Sequence, residues 1–477
     1  MNKKNNIGTN SNIKTDVAVL GGGPAGYVAA IRLAQLGKSV VLIDKDKLGG
    51  ICLNYGCIPS KAMIYASEFF HKLKKCSKMG INVKEATMDF NKMQEWKNDV
   101  ITKLNNGIQM LCKQNGVTVV KGTASFEASS KLKVIDNDNN SKNISYISFE
   151  NAVIATGSKP IELKNFKFDG KKIISSTEAL CLEKIPKNLV VIGGGYIGLE
   201  LGTVYAKLGS NVAIIEAESQ ILPGFDKNIA NILQKNLENL DIKLYVNAKA
   251  DRIENNKVVV TSKKNGAVML DADKILVAVG RVPNTKEFGL ENAKVTLDDK
   301  GFIKVDSFLR TNDKNIYAIG DVSIGPMLAH KASMQGKFVA EIIAGKNINY
   351  GNIVVPAVIF TDPEIAVVGM SEEEAKSSFS IKTGKFPFSV SSRAMTKDET
   401  EGFVKIIANA SNNVIVGVEI IGNDASDLIS EAALAIKMQT TLDSLALTMH
   451  PHPTLSESLM EAAEAAMGKS IHIFHPK

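Results

Sequence analysis

Asp16-Val17-Ala18-Val19-Leu20-Gly21-Gly22-Gly23-Pro24-Ala25-Gly26 decides the fold of this chain. A short apolar strand runs straight into a G-x-G-x-x-G turn. Val28, Ala29, Ile31, Leu33 and Ala34 then supply the apolar positions of a helix that Gly37 ends. A second strand, Ser39 to Ile43, closes on Asp44. Strand, glycine turn, helix, strand and acid together form the opening unit of a dinucleotide-binding fold. Gly21 permits the turn, Gly23 lets backbone approach a pyrophosphate, and Gly26 lets helix and strand pack closely. The helix N-terminus attracts phosphate, and Asp44 is placed for a pair of ribose hydroxyls.

The unit repeats. Leu189 to Ile192 is a strand, Gly193-Gly194-Gly195-Tyr196-Ile197-Gly198 is the turn, a helix runs to Gly209, and the strand Asn211 to Ile215 ends in Glu216. Gly21 and Gly193 are as far apart in sequence as Asp44 and Glu216, a regularity that unrelated turns would not keep. The chain therefore has two dinucleotide sites. Glu216 repels a 2′-phosphate, and no arginine in Ala217 to Pro223 welcomes one, so the second site prefers NAD to NADP. A weaker echo pairs Ala155-Thr156-Gly157-Ser158-Lys159-Pro160 with Ala278-Val279-Gly280-Arg281-Val282-Pro283. Each follows an apolar strand, Asn151 to Ile154 or Lys274 to Val277, and reads as a crossover where a domain closes over its nucleotide. Between the copies, the polar Lys131 to Ser145 reads as a loose hairpin insertion. Asp321 ends the apolar run Ile316-Tyr317-Ala318-Ile319-Gly320. It either faces a flavin ribityl chain at the carboxyl end of a sheet or caps a helix over Leu328 to Ala344. After Gly351, strands at Val354 to Phe360, Lys382 to Phe388, Phe403 to Ala408 and Val414 to Ile421 alternate with helices, without a nucleotide fingerprint. The fold class is α/β, two Rossmann-like domains followed by an α+β packing module.

Just beyond the first fingerprint stands Gly49-Gly50-Ile51-Cys52-Leu53-Asn54-Tyr55-Gly56-Cys57-Ile58-Pro59-Ser60-Lys61. Positions five apart on a regular helix point to different sides, and a disulfide needs its Cα atoms within about 7 Å. Cys52 and Cys57 can pair only if the turn between them is distorted. Gly56 supplies backbone freedom, and Pro59 discourages a regular helix at Ile58. The spacing alone also admits two reduced cysteines that merely pack. Next to the fingerprint, the pair reads as a dithiol/disulfide couple set against a flavin.

Composition bounds the rest. The 477 residues suffice for about three domains. The net charge of +7 is spread over scattered lysines with no basic run, which excludes a nucleic-acid footprint. Five cysteines, odd in number and sparse, argue for a reducing compartment rather than a secreted disulfide framework. Cys76, Cys112 and Cys181 are isolated, and no Cys/His spacing suggests zinc, so no metal is expected. The polar segment Met1 to Thr15 has no apolar signal region and no arginine, and no apolar run is long enough to span a bilayer. A cytoplasmic protein with a frayed start is expected.

From about Lys14 to Ile473 the chain resembles the flavin disulfide oxidoreductases, and within them the branch that oxidises dihydrolipoamide. The motifs that carry the resemblance are GGICLNYGCIPSK, GGGYIGLELG, the IGD acid at Asp321, Met327-Leu328-Ala329-His330, and His450-Pro451-His452-Pro453-Thr454-Leu455-Ser456-Glu457. The resemblance implies FAD and NAD as cofactors. It divides the chain into an FAD domain over 1–157 (1–14 flexible), an NAD domain over 158–281, a second FAD part over 282–350 and a dimerisation domain over 351–477. Cys52 becomes the interchange thiol and Cys57 the one against the flavin, with Lys61 near the flavin and paired to Glu200. Gly21, Gly23, Gly26, Asp44, Gly50, Gly122, Thr156, Gly157, Asp321, Met327, Leu328, Ala329 and His330 would join Lys61 around FAD. Gly193, Gly195, Gly198, Glu216 and Gly280 would hold NAD.

The same resemblance makes His452, contributed by the other subunit of a homodimer, the acid/base that takes the protons of a dithiol. Glu457 would orient it, although Thr454 to Glu457 is also a capping-box pattern for a helix to Met467. The implied reaction is oxidation of protein-bound dihydrolipoamide by NAD. The lipoyl arm would come from a partner, the lipoyl-bearing protein of a 2-oxoacid or acetoin dehydrogenase complex or of a glycine cleavage system. Ile51 stands where the family usually has threonine, Pro451 for a common alanine and Asp44 for a glutamate. The competing readings are a glutathione-type reductase, which would want basic residues near Glu216, and an FAD-carrying assembly subunit without turnover, against which the cysteine pair and His452 argue.

Overall fold

In the computed structural model, which describes residues 12–136, 143–262, 266–348 and 353–474, the strand Asn12–Leu20 lies inside a seven-stranded sheet. Residues 12–14, read above as part of a flexible start, already belong to that strand and pair in parallel with 146–148. Val40–Asp44 flanks it in parallel on one side and Asn143–Ile154 on the other. Val17, Ala18 and Val19 are fully buried. Successive side chains of a strand point to opposite faces. Val17 and Val19 accordingly pack with Ala25, Ala29 and Leu33 of the helix Pro24–Gln35, while Ala18 and Leu20 join a separate core on the other face with Phe126 and Leu132. Continuous apolar runs mark strands covered on both sides, and each large buried side chain contributes roughly 1.5–3 kcal/mol.

The chain divides into two units, one of residues 1–63, 89–161 and 280–351, the other of residues 64–88, 162–279 and 352–477. The first unit holds the seven-stranded sheet and the helices Phe90–Gln114 and Ala329–Ile343. Its hairpin Lys131–Asp136 with Asn143–Ile154 is a regular antiparallel ladder with Leu132 and Val134 buried, rather than a loose insertion, while its tip lies outside the described residues. The echoing segments after Ala155 and Ala278 turn out to be partners, since Ser158–Pro160 and Arg281–Pro283 form an antiparallel ribbon.

The second unit repeats the parallel arrangement in a five-stranded sheet, with Asn188–Ile192 between Asn211–Ile215 and Lys274–Val277. It also contains a five-stranded antiparallel sheet in the order Ala357–Ile359, Ile365–Gly369, Ile415–Ile421, Phe403–Asn409, Ile381–Pro387. Ile365–Gly369 was not anticipated from the sequence; the other strands fall within a few residues of expectation. Inside this unit Lys405 is buried against Asp226 at 2.7 Å, Glu372 at 2.5 Å and Glu419 at 3.2 Å. A buried ammonium needs such partners.

Candidate active site

Both glycine turns are formed, and they match contact for contact. Gly21 has φ +101° and donates its N–H to the Ile43 carbonyl at 2.8 Å; Gly193 has φ +111° and donates to Ile215 at 2.8 Å. A Cβ on Gly26 would lie 1.8 Å from the Gly21 carbonyl oxygen, and one on Gly198 would lie 2.2 Å from that of Gly193. Only hydrogen fits where the helix crosses its own turn. The helices Pro24–Gln35 and Tyr196–Lys207 begin at Gly23 and Gly195, whose lack of a side chain leaves the first N–H groups uncapped. The Asp44 carboxylate accepts from Gly22 N–H at 2.5 Å and Asp46 N–H at 2.9 Å; Glu216 accepts from Gly194 at 2.7 Å and Glu218 at 2.9 Å. Each oxygen keeps a second lone pair for a ribose hydroxyl. Burial pushes the Asp44 carboxyl above its usual range against the pull of the two N–H groups.

The cysteine segment is two helices with a break. Gly50–Tyr55 is the first, Gly56 leaves helical geometry at φ −144° and ψ −101°, and Cys57–Leu73 is the second. Gly56 thus distorts the spacing as its sequence position suggested. Pro59 does not disturb Ile58, because it sits in the first turn of the new helix, where a missing N–H costs nothing. Gly50 has φ +58°, and a Cβ there would lie 2.6 Å from the Gly23 Cα. The cysteine segment therefore closes on the first glycine turn backbone to backbone.

Cys52 and Cys57 are brought together as reduced thiols, Cys52 half-buried and Cys57 exposed. A hydrogen bond with Cys57 is the largest influence on the Cys52 thiol and pushes its pKa up, burial adds to this, and the Lys61 charge opposes it. Asp321 is near enough to push in the same direction as burial. That carboxylate accepts from the Ser158 hydroxyl at 2.6 Å, and Ser158 in turn accepts from Arg281 Nε at 2.8 Å. Asp321 stands in the short turn Gly320–Val322 and does not cap the following helix, whose N-cap is Leu328. Thr156 donates to the Asn284 carbonyl at 2.7 Å, and Gly157 accepts from Asn284 N–H at 2.8 Å. Gly122 has φ +155°, donates to the Asp44 carbonyl at 2.9 Å, and joins two strands where a Cβ would meet Ile135 O at 2.8 Å. Met327, Leu328 and Ala329 are half-buried and His330 is exposed.

In the second unit, His452 Nδ1 meets Glu457 Oε1 at 2.9 Å, while Glu457 Oε2 accepts from Thr454 N–H at 2.7 Å. The Glu457 carboxylate thus holds both His452 and the Thr454 N–H, but the helix Glu457–Ala466 has Ser456 as its N-cap and the Thr454 hydroxyl turns away to the Pro451 carbonyl, so the expected capping box does not form. Burial pushes the Glu457 carboxyl up, but the Thr454 N–H and His452 together hold it below its ordinary value. The His452 side chain is 70% exposed, so Nε2 is accessible. His450 is 5% exposed and has both ring nitrogens engaged, with Thr448 O at 2.8 Å and Glu431 Oε1 at 2.9 Å. That distinguishes the available histidine from the structural one. Glu200, 4% exposed, accepts from Phe360 N–H at 2.9 Å. Lys61 belongs to the first unit and Glu200 to the second.

Residues 15–336 match the family model of the pyridine nucleotide-disulphide oxidoreductases, and residues 355–463 match that family's dimerisation domain. The chain belongs to the pyridine nucleotide-disulphide oxidoreductases. It is 48% identical over 465 residues to a dihydrolipoyl dehydrogenase of Geobacillus stearothermophilus, covering 97% of this chain and 98% of that one. A dihydrolipoyl dehydrogenase of Bacillus subtilis is 47% identical over 466 residues, covering 97% and 98%. Among solved structures, LpdA from Mycobacterium tuberculosis superimposes with TM-score 0.87 at 28% identity, over 95% of this chain and 99% of that one. The Escherichia coli flavoprotein disulfide reductase RclA, solved as a Cu(II) complex, gives 0.84 at 28%, over 94% and 99%.

FAD and NAD are the cofactors of this family member. The uncapped helix starts at Gly23 and Gly195 and the carboxylates with spare lone pairs fit two dinucleotides. Sequence reasoning about this oxidoreductase missed Ser158 and the role of Arg281, because their link to Asp321 joins residues far apart in the chain. It also gave no role to Lys331, Gln335 or Ser323, although a lysine amid the apolar positions of the helix from Ala329 was a signal. Among the described residues, no helix is long and apolar enough to cross a membrane.

Proposed function

We propose that this chain is a dihydrolipoyl dehydrogenase that oxidises dihydrolipoamide carried on a partner protein and reduces NAD+ to NADH. The contact between Cys52 and Cys57, in a turn that closes on the first nucleotide fingerprint, carries this reading. The relatives that bear the name at 47 and 48% identity support it.

The reaction starts from the Cys52–Cys57 disulfide. One substrate thiol gives its proton to His452 of the partner subunit, and the thiolate attacks Cys52 Sγ, which expels Cys57 as a thiolate. The second substrate thiol then attacks the sulfur bound to Cys52, which releases the oxidised lipoyl ring and leaves Cys52 reduced. Two protons and two electrons leave the substrate, and the electrons reside on the cysteine pair. Bound FAD supplies the two-electron relay from this dithiol to NAD+. Glu457 fixes the His452 ring through Nδ1 and leaves Nε2 to exchange protons. Lys61 favours the thiolate at Cys52.

Gly21, Gly23, Gly26, Asp44, Gly50, Gly122, Thr156, Gly157, Asp321 and the segment from Met327 to His330 would hold FAD. Gly193, Gly195, Gly198, Glu216 and Gly280 would hold NAD, and Glu216 excludes a 2′-phosphate. The functional domains are 1–157 with 282–350 for FAD, 158–281 for NAD and 351–477 for a homodimer interface, in a cytoplasmic enzyme. Its partner is the lipoyl-bearing protein of a 2-oxoacid or acetoin dehydrogenase complex or of a glycine cleavage system. NADH formation from free dihydrolipoamide tests the reading. Wild type turns over, whereas Cys52→Ser keeps flavin and loses turnover. A wild-type protein that holds FAD without oxidising dihydrolipoamide would instead be an assembly subunit.

A further inference from the structure

Beneath the Asp321 turn lie three polar side chains that the reaction does not use. Lys331, Gln335 and Ser323 are 4, 2 and 0% exposed. All three grip the turn Gly320–Val322. Gly320 N–H donates to Gln335 Oε1 at 2.7 Å. The Gly320 carbonyl accepts from Ser323 Oγ at 3.0 Å and from Lys331 Nζ at 3.3 Å. Lys331 Nζ also reaches the Ile324 carbonyl at 3.4 Å, and Gln335 Nε2 donates to Ser323 Oγ at 3.4 Å. Lys331 and Gln335 lie four apart on the helix Ala329–Ile343 and so share one face.

Gln335 and Ser323 suffice to fasten this turn, since they satisfy Gly320 on both sides. The ammonium is therefore more than the fastening needs. Its contacts with the two carbonyls are long, and a buried cation is costly unless a negative group faces it. Burial pushes the Lys331 pKa down, and the Asp321 carboxylate pulls it back. The same carboxylate acts on Cys52. A positive charge is thus stationed inside the fold, beside the acid that the flavin reading assigns to FAD.

We propose that Lys331 is a positioning residue of the flavin site, which reaches the Gly320 carbonyl and supplies the buried positive charge that balances the Asp321 carboxylate. Gln335 and Ser323 set the geometry of the turn without contributing charge. The proposal rests on the assignment of the first dinucleotide site to FAD.

Apoprotein of wild type, Lys331→Met, Lys331→Arg and Gln335→Leu, titrated with FAD, separates the two contributions. Bound-flavin midpoint potentials are measured alongside affinity. Lys331→Met is expected to weaken FAD at least about tenfold, the equivalent of one ordinary charge-assisted hydrogen bond, and to shift the potential to more negative values, because a nearby cation favours the electron-rich flavin. Lys331→Arg restores both, and Gln335→Leu weakens FAD while the potential stays put. Wild-type affinity and potential in Lys331→Met overturn the proposal, as does a Lys331→Arg protein as impaired as the methionine variant. Should Lys331→Met not fold, judged by NAD binding and circular dichroism, Lys331→Gln carries the same expectation. Wild-type apoprotein that takes up no FAD would instead overturn the flavin assignment, and the Lys331 proposal with it.

Discussion

At Gly21 and at Gly193 the backbone turns the same way, crosses its helix at the same point and hands its next N–H to an acid at the end of the neighbouring strand. Beyond the turn the two sites part. Over the first, Gly50 comes within 3.9 Å of the Cβ position at Gly23, so the chain's own cysteine segment roofs the helix start. Over the second, no described atom lies within 4 Å of the Cβ position at Gly195. On the proposed assignment, one local solution to phosphate binding serves two different ligands. A roofed turn suits a cofactor that stays beside the cysteines, and an open one suits a nucleotide that arrives and leaves each cycle.

Closing the tightest crossing should break each site by itself. In Gly26→Ala the added methyl meets the Gly21 carbonyl, and in Gly198→Ala it meets that of Gly193. Overpacking of this kind costs about 1–3 kcal/mol, or roughly 5- to 150-fold in affinity. Gly26→Ala is expected to lose FAD on gel filtration. Gly198→Ala should keep FAD and raise KM for NAD+. Loss of FAD from both variants would erase the distinction between the sites.

A milder pair sharpens it. Gly23→Ala and Gly195→Ala have room for their methyl in the protein alone, so thermal stability of the apoproteins is expected to stay at the wild-type value. Ligand affinity should fall in each, because the methyl stands where the pyrophosphate approaches. The drop is expected to be larger at Gly23, where Gly50 leaves the cofactor less room to shift. Calorimetric titration with FAD and with NADH reads both. Equal losses would mean that the roof does not constrain the ligand.

The smallest effect is electrostatic. Burial raises the Asp44 carboxyl above its ordinary value of 3.8 in the folded chain. A raised folded value means stability that is fully present below the unfolded pKa and lost as pH rises through the folded one. Wild-type apoprotein should therefore lose stability relative to Asp44→Asn as pH climbs out of the acid carboxylate range. Melting temperatures compared from acid to neutral pH check the sign. A difference that stays constant with pH would remove the charge penalty from the first site.

What could be read in advance was whatever the chain states locally. The two fingerprints, their acids and the break at Gly56 each lie within a short span, so pattern and turn chemistry suffice. The start of the first strand at Asn12 escaped notice because polar residues there pair with a long strand more than a hundred positions onward. Arg281, Ser158 and Asp321 form a chain of hydrogen bonds that no local periodicity encodes. Lys331 and Gln335 share a helix face, yet their target turn is fixed only by tertiary packing. The resemblance singled out His452, but that His450 is held by Glu431, nineteen residues earlier, shows only in the fold.

Counting thiols tests the central claim most directly. The chain has five cysteines, and Cys52 and Cys57 are the pair that cycles. Oxidised protein, denatured without reductant, should titrate three thiols, and all five after anaerobic reduction with NADH, the added two being absent in a protein carrying Cys52→Ser and Cys57→Ser. A thiol count in the wild-type protein that NADH leaves unchanged would contradict a redox role for the pair.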